Sequence, residues 1–193
     1  MIPPRIIAGK AKGMRLFTIP GDSTRPITDR VKENLFNIIG DDIVNTQFLD
    51  LFGGTGSVGL EALSRGAAFC RFIEKNNTAA AVLKKNITHT RVDSMAEVYQ
   101  MDAFQLLKRR ADKQFDYIYI APPQYKAMWK DALLTLDANP AWMAEFAWVI
   151  AQIHPVEFEE LPPFQHFTEI DQRKYGSTML IFYEANEKPQ TAA

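Results

Sequence analysis

The sequence predicts an α/β domain, with a mostly parallel sheet, an antiparallel C-terminal hairpin and a small N-terminal β extension. Three observations predict it. Short apolar runs alternate with helical runs from residue 48 to residue 153, the rhythm of a parallel sheet covered on both faces. The run Phe48-Leu49-Asp50-Leu51-Phe52 breaks into a glycine-rich stretch and then a helical pattern. The tail changes character: two β-like runs, Phe164–Gln172 and Thr178–Tyr183, are joined by Arg173-Lys174-Tyr175-Gly176-Ser177, which reads as a hairpin.

The elements follow in order. Gly9 and Gly13 punctuate the front segment, and Arg15–Ile19 reads as a strand ended by Pro20-Gly21. Thr28 is placed to cap a helix to about Ile39, with Val31, Leu35 and Ile38 or Ile39 on one face and Gly40 closing it. Strands are expected at 48–52, 69–74, 96–101, 115–120 and 147–153. Helices fit at 57–65, 77–86, 103–110 and 127–136. This divides the chain into a front extension (1–22), a main domain (23–185) and a frayed polar tail (186–193).

Bulk properties exclude several classes. The chain has 193 residues, 47% hydrophobic and 23% charged, the profile of one soluble globular domain. No apolar run is long enough for a membrane span, and the opening MIPPRIIAGK lacks the apolar core of a secretory signal. Cys70 is the single cysteine, and His89, His154 and His166 are scattered, so neither a disulfide framework nor a metal site is expected. A cytoplasmic protein follows. Net charge is −1, but Arg5, Lys10, Lys12 and Arg15 fall in the first twenty residues without any acid. Residues 154–193 hold seven acids and three bases. A basic arm on a neutral body suits a polyanion, or serves only to solubilise the terminus.

The chemistry starts at Gly54, Gly56 and Gly59, which fall at G-x-G-x-x-G spacing. That spacing gives a strand, a tight turn and a helix N-terminus facing a nucleotide-like cofactor. Asp50, at the carboxyl end of the strand, would repel a pyrophosphate and suit a cationic cofactor such as S-adenosylmethionine. Glu74 lies twenty residues after Gly54, the spacing of a carboxylate that takes a ribose diol. NAD shares that diol, so Glu74 alone does not separate the two cofactors. Asp102 suits either an adenine amino group or a helix N-cap. Ala121-Pro122-Pro123-Gln124-Tyr125 closes the fourth strand. Its prolines fix an extended backbone with free carbonyls, and Tyr125 offers a flat face to a nucleobase or to the core.

Together, RIIAGKAKGMRL (Arg5–Leu16), RPITDRVKENLFNII (Arg25–Ile39), LDLFGGTGSVGLEALSRGA (Leu49–Ala67), FIEKN (Phe72–Asn76) and RKYGST (Arg173–Thr178) resemble the RsmD-type 16S ribosomal RNA guanine-N2 methyltransferases. The resemblance covers nearly the whole chain in order. It implies a Rossmann-like class I methyltransferase fold using S-adenosylmethionine, with ribosomal RNA or the small ribosomal subunit as partner. It implies that Asp50, Gly54 and Gly56 line the methionine end, Glu74 the ribose and Asp102 the adenine, with Phe52, Gly53, Lys75 and Ala103 beside them. Lys10, Lys12, Arg15, Arg25, Thr28 and Arg30 would face RNA and the cofactor entrance. Pro122, Pro123, Gln124 and Tyr125 would form the catalytic loop. Here the chain departs from the family, which usually shows Asp or Asn, two prolines and an aromatic. Ala121 replaces the acid or amide that accepts from the target amine, and Gln124 stands where the aromatic is expected. The Pro122 carbonyl and the Gln124 amide oxygen remain as acceptors. The alternatives are a non-catalytic RNA-binding assembly factor, and a methyltransferase with another nucleic-acid target.

Overall fold

A computed structural model describes residues 3–20, 27–124 and 126–187. Its centre is a seven-stranded sheet of order β3-β2-β1-β4-β5-β7-β6. The strands are β1 (Gln47–Asp50), β2 (Phe69–Ile73), β3 (Ala96–Tyr99), β4 (Phe115–Ile120), β5 (Met143–Ile153), β6 (Phe167–Tyr175) and β7 (Thr178–Ala185). The first five run parallel, and β7 is antiparallel to both its neighbours. Among the described residues five α-helices accompany them: α1 (Asp29–Ile39), α2 (Ser57–Arg65), α3 (Asn77–Thr90), α4 (Ala103–Leu107) and α5 (Met128–Ala138).

Alternation along buried strands sorts the core into two layers. Phe48, Tyr117 and Tyr119 pack with Val31 and Leu35 of α1, Leu60 and Leu63 of α2, and Leu83 and Ile87 of α3. Leu49, Ile118 and Ile120 face the other way, onto Leu106 and Leu107 of α4 and Leu133 and Leu136 of α5. So α1, α2 and α3 cover one face, and α4 and α5 the other. The order places β1 next to β4, where the chain reverses direction across the sheet. Ligands bind such sheets in the crevice beyond the strands' carboxyl ends at that switch point.

The front segment differs from the sequence expectation. Instead of a strand over Arg15–Ile19 there is one antiparallel bridge, Arg5 to Arg15. Ile6 pairs with Gly13 and Met14, and Leu16 with Pro4, across the segment, but its other backbone groups are used elsewhere. The Ile7 and Ala8 amides donate to Glu61 (2.8 and 3.0 Å), and the Ala11 amide donates to Ser64 Oγ (2.9 Å). Phe17 bonds through both its amide and its carbonyl to Asn86. The β extension is therefore a loop docked on α2 and α3.

Other boundaries shift for local reasons. The third helix continues past residue 86 because Asn86 points inward to loop partners, and Arg91 ends it in the left-handed conformation. The fifth strand starts at Met143 rather than 147. Its register skips between Phe115–Met143 and Tyr117–Trp148, and Phe146 there has φ +55°. The hairpin is tighter than expected, with β6 and β7 joined by Gly176 and Ser177 alone.

Candidate functional site

Four strand ends build one rim. The first strand stops at Asp50, and the turn after it is fastened to both neighbouring strands. The Leu51 amide donates to the Tyr119 carbonyl (3.0 Å) and the Gly53 amide to the Ile73 carbonyl (2.8 Å). Gly54 has φ +53° and Gly56 φ +83°, conformations that disfavour a side chain. Gly59 has a packing role: a Cβ there would lie 2.3 Å from the Phe72 ring and 2.7 Å from Cys70 Sγ. It lets α2 press against β2 and brings the helix N-terminus under the turn.

Asp50 lies beneath this turn with 2% of its surface exposed. Its Oδ1 is buried and has no hydrogen-bond partner. Burial pushes its carboxyl up to about 7, against the Gly59 and Phe52 amides that favour the anion, and the Glu74 charge adds to the rise. An orphaned carboxylate oxygen is costly. A cation above it would relieve that cost.

Glu74, just past β2, accepts from the Gly54 amide (2.9 Å) and the Asn76 amide (2.7 Å). It is half-buried at the rim, so the glycine turn and the carboxylate form one unit. Asp102 caps α4 through the Phe104 amide (2.9 Å) and lies 3.4 Å from Lys75 Nζ. Oδ1 makes the expected N-cap, and Oδ2 faces Lys75. Phe52 and Phe104 meet edge to face, centroids 6.4 Å apart, giving the rim an apolar wall near Ala103.

Ala121 and Pro122 at the end of β4 are half-buried, and Pro123 and Gln124 are exposed. Thr28 caps α1 (3.3 Å to the Val31 amide), and Arg30 on its first turn is exposed. Lys10, Lys12 and Arg15 are all exposed on the docked arm. Arg25 and Tyr125 lie outside the described residues. Among the described residues no group of three or more His, Cys, Asp or Glu side chains is placed to hold a metal. Also among them, no helix is long and apolar enough to cross a membrane.

Sequence reasoning misses a buried charged cluster behind this site. Lys32 and Glu61 are fully buried. Lys32 Nζ donates to the Arg5 carbonyl (2.6 Å) and to Ser57 Oγ (3.0 Å), and lies 3.4 Å from Glu61. Burial pushes Lys32 below the ordinary lysine range, with Glu61 pulling it back up. Glu61 also accepts from Arg65 Nε (2.8 Å). The available signal is an acid between the apolar residues Leu60 and Ala62-Leu63 of α2.

Known proteins agree with this architecture. The family model described as conserved hypothetical protein 95 matches residues 4–184. The chain belongs to the RsmD-type ribosomal RNA methyltransferase family. YlbH of Bacillus subtilis (strain 168) is 36% identical over 182 residues, 93% of this chain and 98% of that protein. Ribosomal RNA small subunit methyltransferase D of Haemophilus influenzae is 38% identical over 137 residues, 70% of this chain and 71% of that protein. The solved structure of Escherichia coli yhhF superposes with a TM-score of 0.84 at 28% identity, covering 96% of this chain and 99% of that one. As a family member, the chain is a methyltransferase of the class I fold, and the antiparallel seventh strand fits that fold.

Proposed function

We propose that this family member transfers a methyl group from S-adenosylmethionine to the exocyclic N2 of a guanine in small-subunit ribosomal RNA, in the cytoplasm. The cofactor reading rests on Asp50. Its unpartnered buried oxygen and its carboxyl raised to about 7 suit a cation above the glycine turn and do not suit a pyrophosphate. Gly54 leaves the turn's backbone open to the methionine end, and Gly53 and Gly56, where a Cβ would lie 3.2 and 2.5 Å from Leu83, let the turn pack closely enough to line it. Glu74 takes the ribose diol. Asp102, with Ala103, Phe52 and Lys75 around it, takes the adenine. When bound, the cofactor supplies an electrophilic methyl carbon on a sulfonium.

The chain's own task is to hold the amine in line with that carbon and to favour the positive charge that develops on nitrogen. Ala121 has no acceptor for this. The Pro122 carbonyl, fixed by two consecutive prolines, is the acceptor we assign, with the Gln124 amide oxygen as a second. Pro123 sets the loop's extended path, and Tyr125 stacks on the base. Residues 1–22 act as the RNA-contacting arm through Lys10, Lys12 and Arg15. Arg25, Thr28 and Arg30 border the cofactor entrance within the methyltransferase domain (23–185), and 186–193 is a tail.

The test is tritiated methyl transfer to small subunits from a strain lacking the gene, with nucleoside mass spectrometry of the product. The expected result is one N2-methylguanosine gained. Calorimetry should show S-adenosylmethionine bound and NAD not. Cofactor binding without transfer to naked or assembled RNA would favour a non-catalytic assembly factor, the reading that the missing acceptor at Ala121 supports.

A further inference from the structure

Phe17 is 39% exposed where the arm crosses α3. One buried side chain clamps its backbone. The Phe17 amide donates to Asn86 Oδ1 (2.8 Å), and its carbonyl accepts from Asn86 Nδ2 (3.0 Å). The same Nδ2 donates to the Thr55 carbonyl in the glycine turn (2.9 Å). An exposed aromatic ring is thus held in fixed relation to the cofactor turn. Lys85 Nζ lies 3.9 Å from its centroid, and the His89 ring stands 5.2 Å away, tilted by 58°. Lys84 and Arg91 are exposed beside them. Neither residues 3–20 nor residues 75–92 contain an acid; Asp93 flanks them and accepts from Thr88 Oγ1 (2.6 Å), and the exposed charges around Phe17 itself are basic.

We infer that Phe17, Lys85 and His89 form a stacking platform for an unpaired RNA base, with Lys84 and Arg91 taking the neighbouring phosphates. This rests on the RNA-methyltransferase reading and extends the RNA-facing surface from the arm onto α3. A phenyl face stacks on any base but reaches only bases out of a duplex. An acidic protein segment would use the cations and leave the ring idle, so RNA is the partner that uses every group present. A target base must be unstacked before it reaches the rim, and a platform tied to the glycine turn through Asn86 holds a neighbouring nucleotide open beside it.

Fluorescence anisotropy with a labelled single-stranded RNA, and with its blunt duplex, tests the platform. Wild-type protein should favour the single strand. Phe17→Ala should lose about tenfold in affinity for the single strand and little for the duplex, and Phe17→Trp should restore it. Lys84→Ala, which removes a proposed phosphate contact, should reduce the salt slope by about 0.7. Polyglutamate should compete poorly. Cofactor calorimetry on each variant checks the fold; should Phe17→Ala fail that check, Lys85→Glu on an exposed side chain carries the same test. Unchanged affinity in the platform variants, while a Lys10→Ala, Lys12→Ala protein loses RNA, overturns the platform and leaves the RNA reading standing. Polyglutamate competing as well as RNA overturns it too. Wild-type protein that binds cofactor but no RNA overturns both.

Discussion

Asp50 is the residue whose protonation links folding to ligand binding. The fold raises its carboxyl from 3.8 to about 7. The folded state therefore prefers the protonated form. This contribution to stability is fully present below the ordinary carboxylate value and is lost as pH rises through about 7. A bound cation reverses the preference, because a nearby positive charge favours the carboxylate. Cofactor binding then releases a proton below about pH 7. Affinity for S-adenosylmethionine should rise with pH up to about 7 and level off above it. Calorimetry in buffers of different ionisation heat would show the proton release. Asp50→Asn should flatten this profile and weaken binding. It should also stabilise the cofactor-free protein at about pH 8, by about 1–3 kcal/mol in thermal melts, since a desolvated charge is removed. An unchanged pH profile in the variant would mean that Asp50 does not face the cofactor's charge.

At the scale of elements, the docking of the front segment on α2 is the feature most open to a single change. Gly9 has φ +81°, and a Cβ there would lie 1.8 Å from the Ser64 carbonyl oxygen. That atom belongs to a helix backbone and cannot give way. Gly9→Ala should lift the segment off α2 at a cost of about 1–3 kcal/mol. Amide hydrogen exchange should then accelerate at Ile7, Ala8 and Ala11, whose amides bond to Glu61 and Ser64, while S-adenosylmethionine binding persists. Unchanged protection at those amides would show that the close approach at Gly9 is not needed to hold the segment. The same docking explains what the sequence hides. Buried strands such as β4, and the glycine turn with Asp50, Glu74 and Asp102, are legible because their signals are local: an apolar run, a glycine spacing, an acid at a strand end. Glu61, Lys32 and Asn86 are not, because, Arg65 beside Glu61 apart, the partners that bury them lie 25 to 69 residues away. The front strand is expected from its apolar alternation. After the Leu16 amide, which bonds to the Pro4 carbonyl, it does not continue, because Asn86 of α3 takes both backbone groups of Phe17. The start of β5 is hidden for a related reason, since a bulge at Phe146 lets an exposed residue sit inside a strand.

Across the whole molecule, charge and topology coincide. The basic arm and the acid-free α3 lie on the layer formed by α1, α2 and α3, next to the glycine turn. A second basic run, Lys108, Arg109 and Arg110, borders a cleft of about 670 Å³ with Leu134, Thr135 and Asn139. Both α4 and α5 begin after the carboxyl end of a strand and end before the start of the next, so this cleft lies at the opposite end of the sheet from the rim. The two runs allow a comparison that net charge cannot confound, since each triple substitution removes three positive charges. Changing Lys10, Lys12 and Arg15 to Ala should lower RNA affinity and flatten its salt dependence by about 0.7–0.9 unit for each phosphate that is no longer neutralised. Changing Lys108, Arg109 and Arg110 to Ala should leave the slope close to that of the wild type. Both proteins should bind S-adenosylmethionine normally. The measurement is anisotropy of one RNA across a salt series, with all three proteins side by side. Equal losses would mean that RNA responds to overall charge and that the arm holds no privileged place. A loss confined to the arm variant would fix the direction from which RNA approaches the rim.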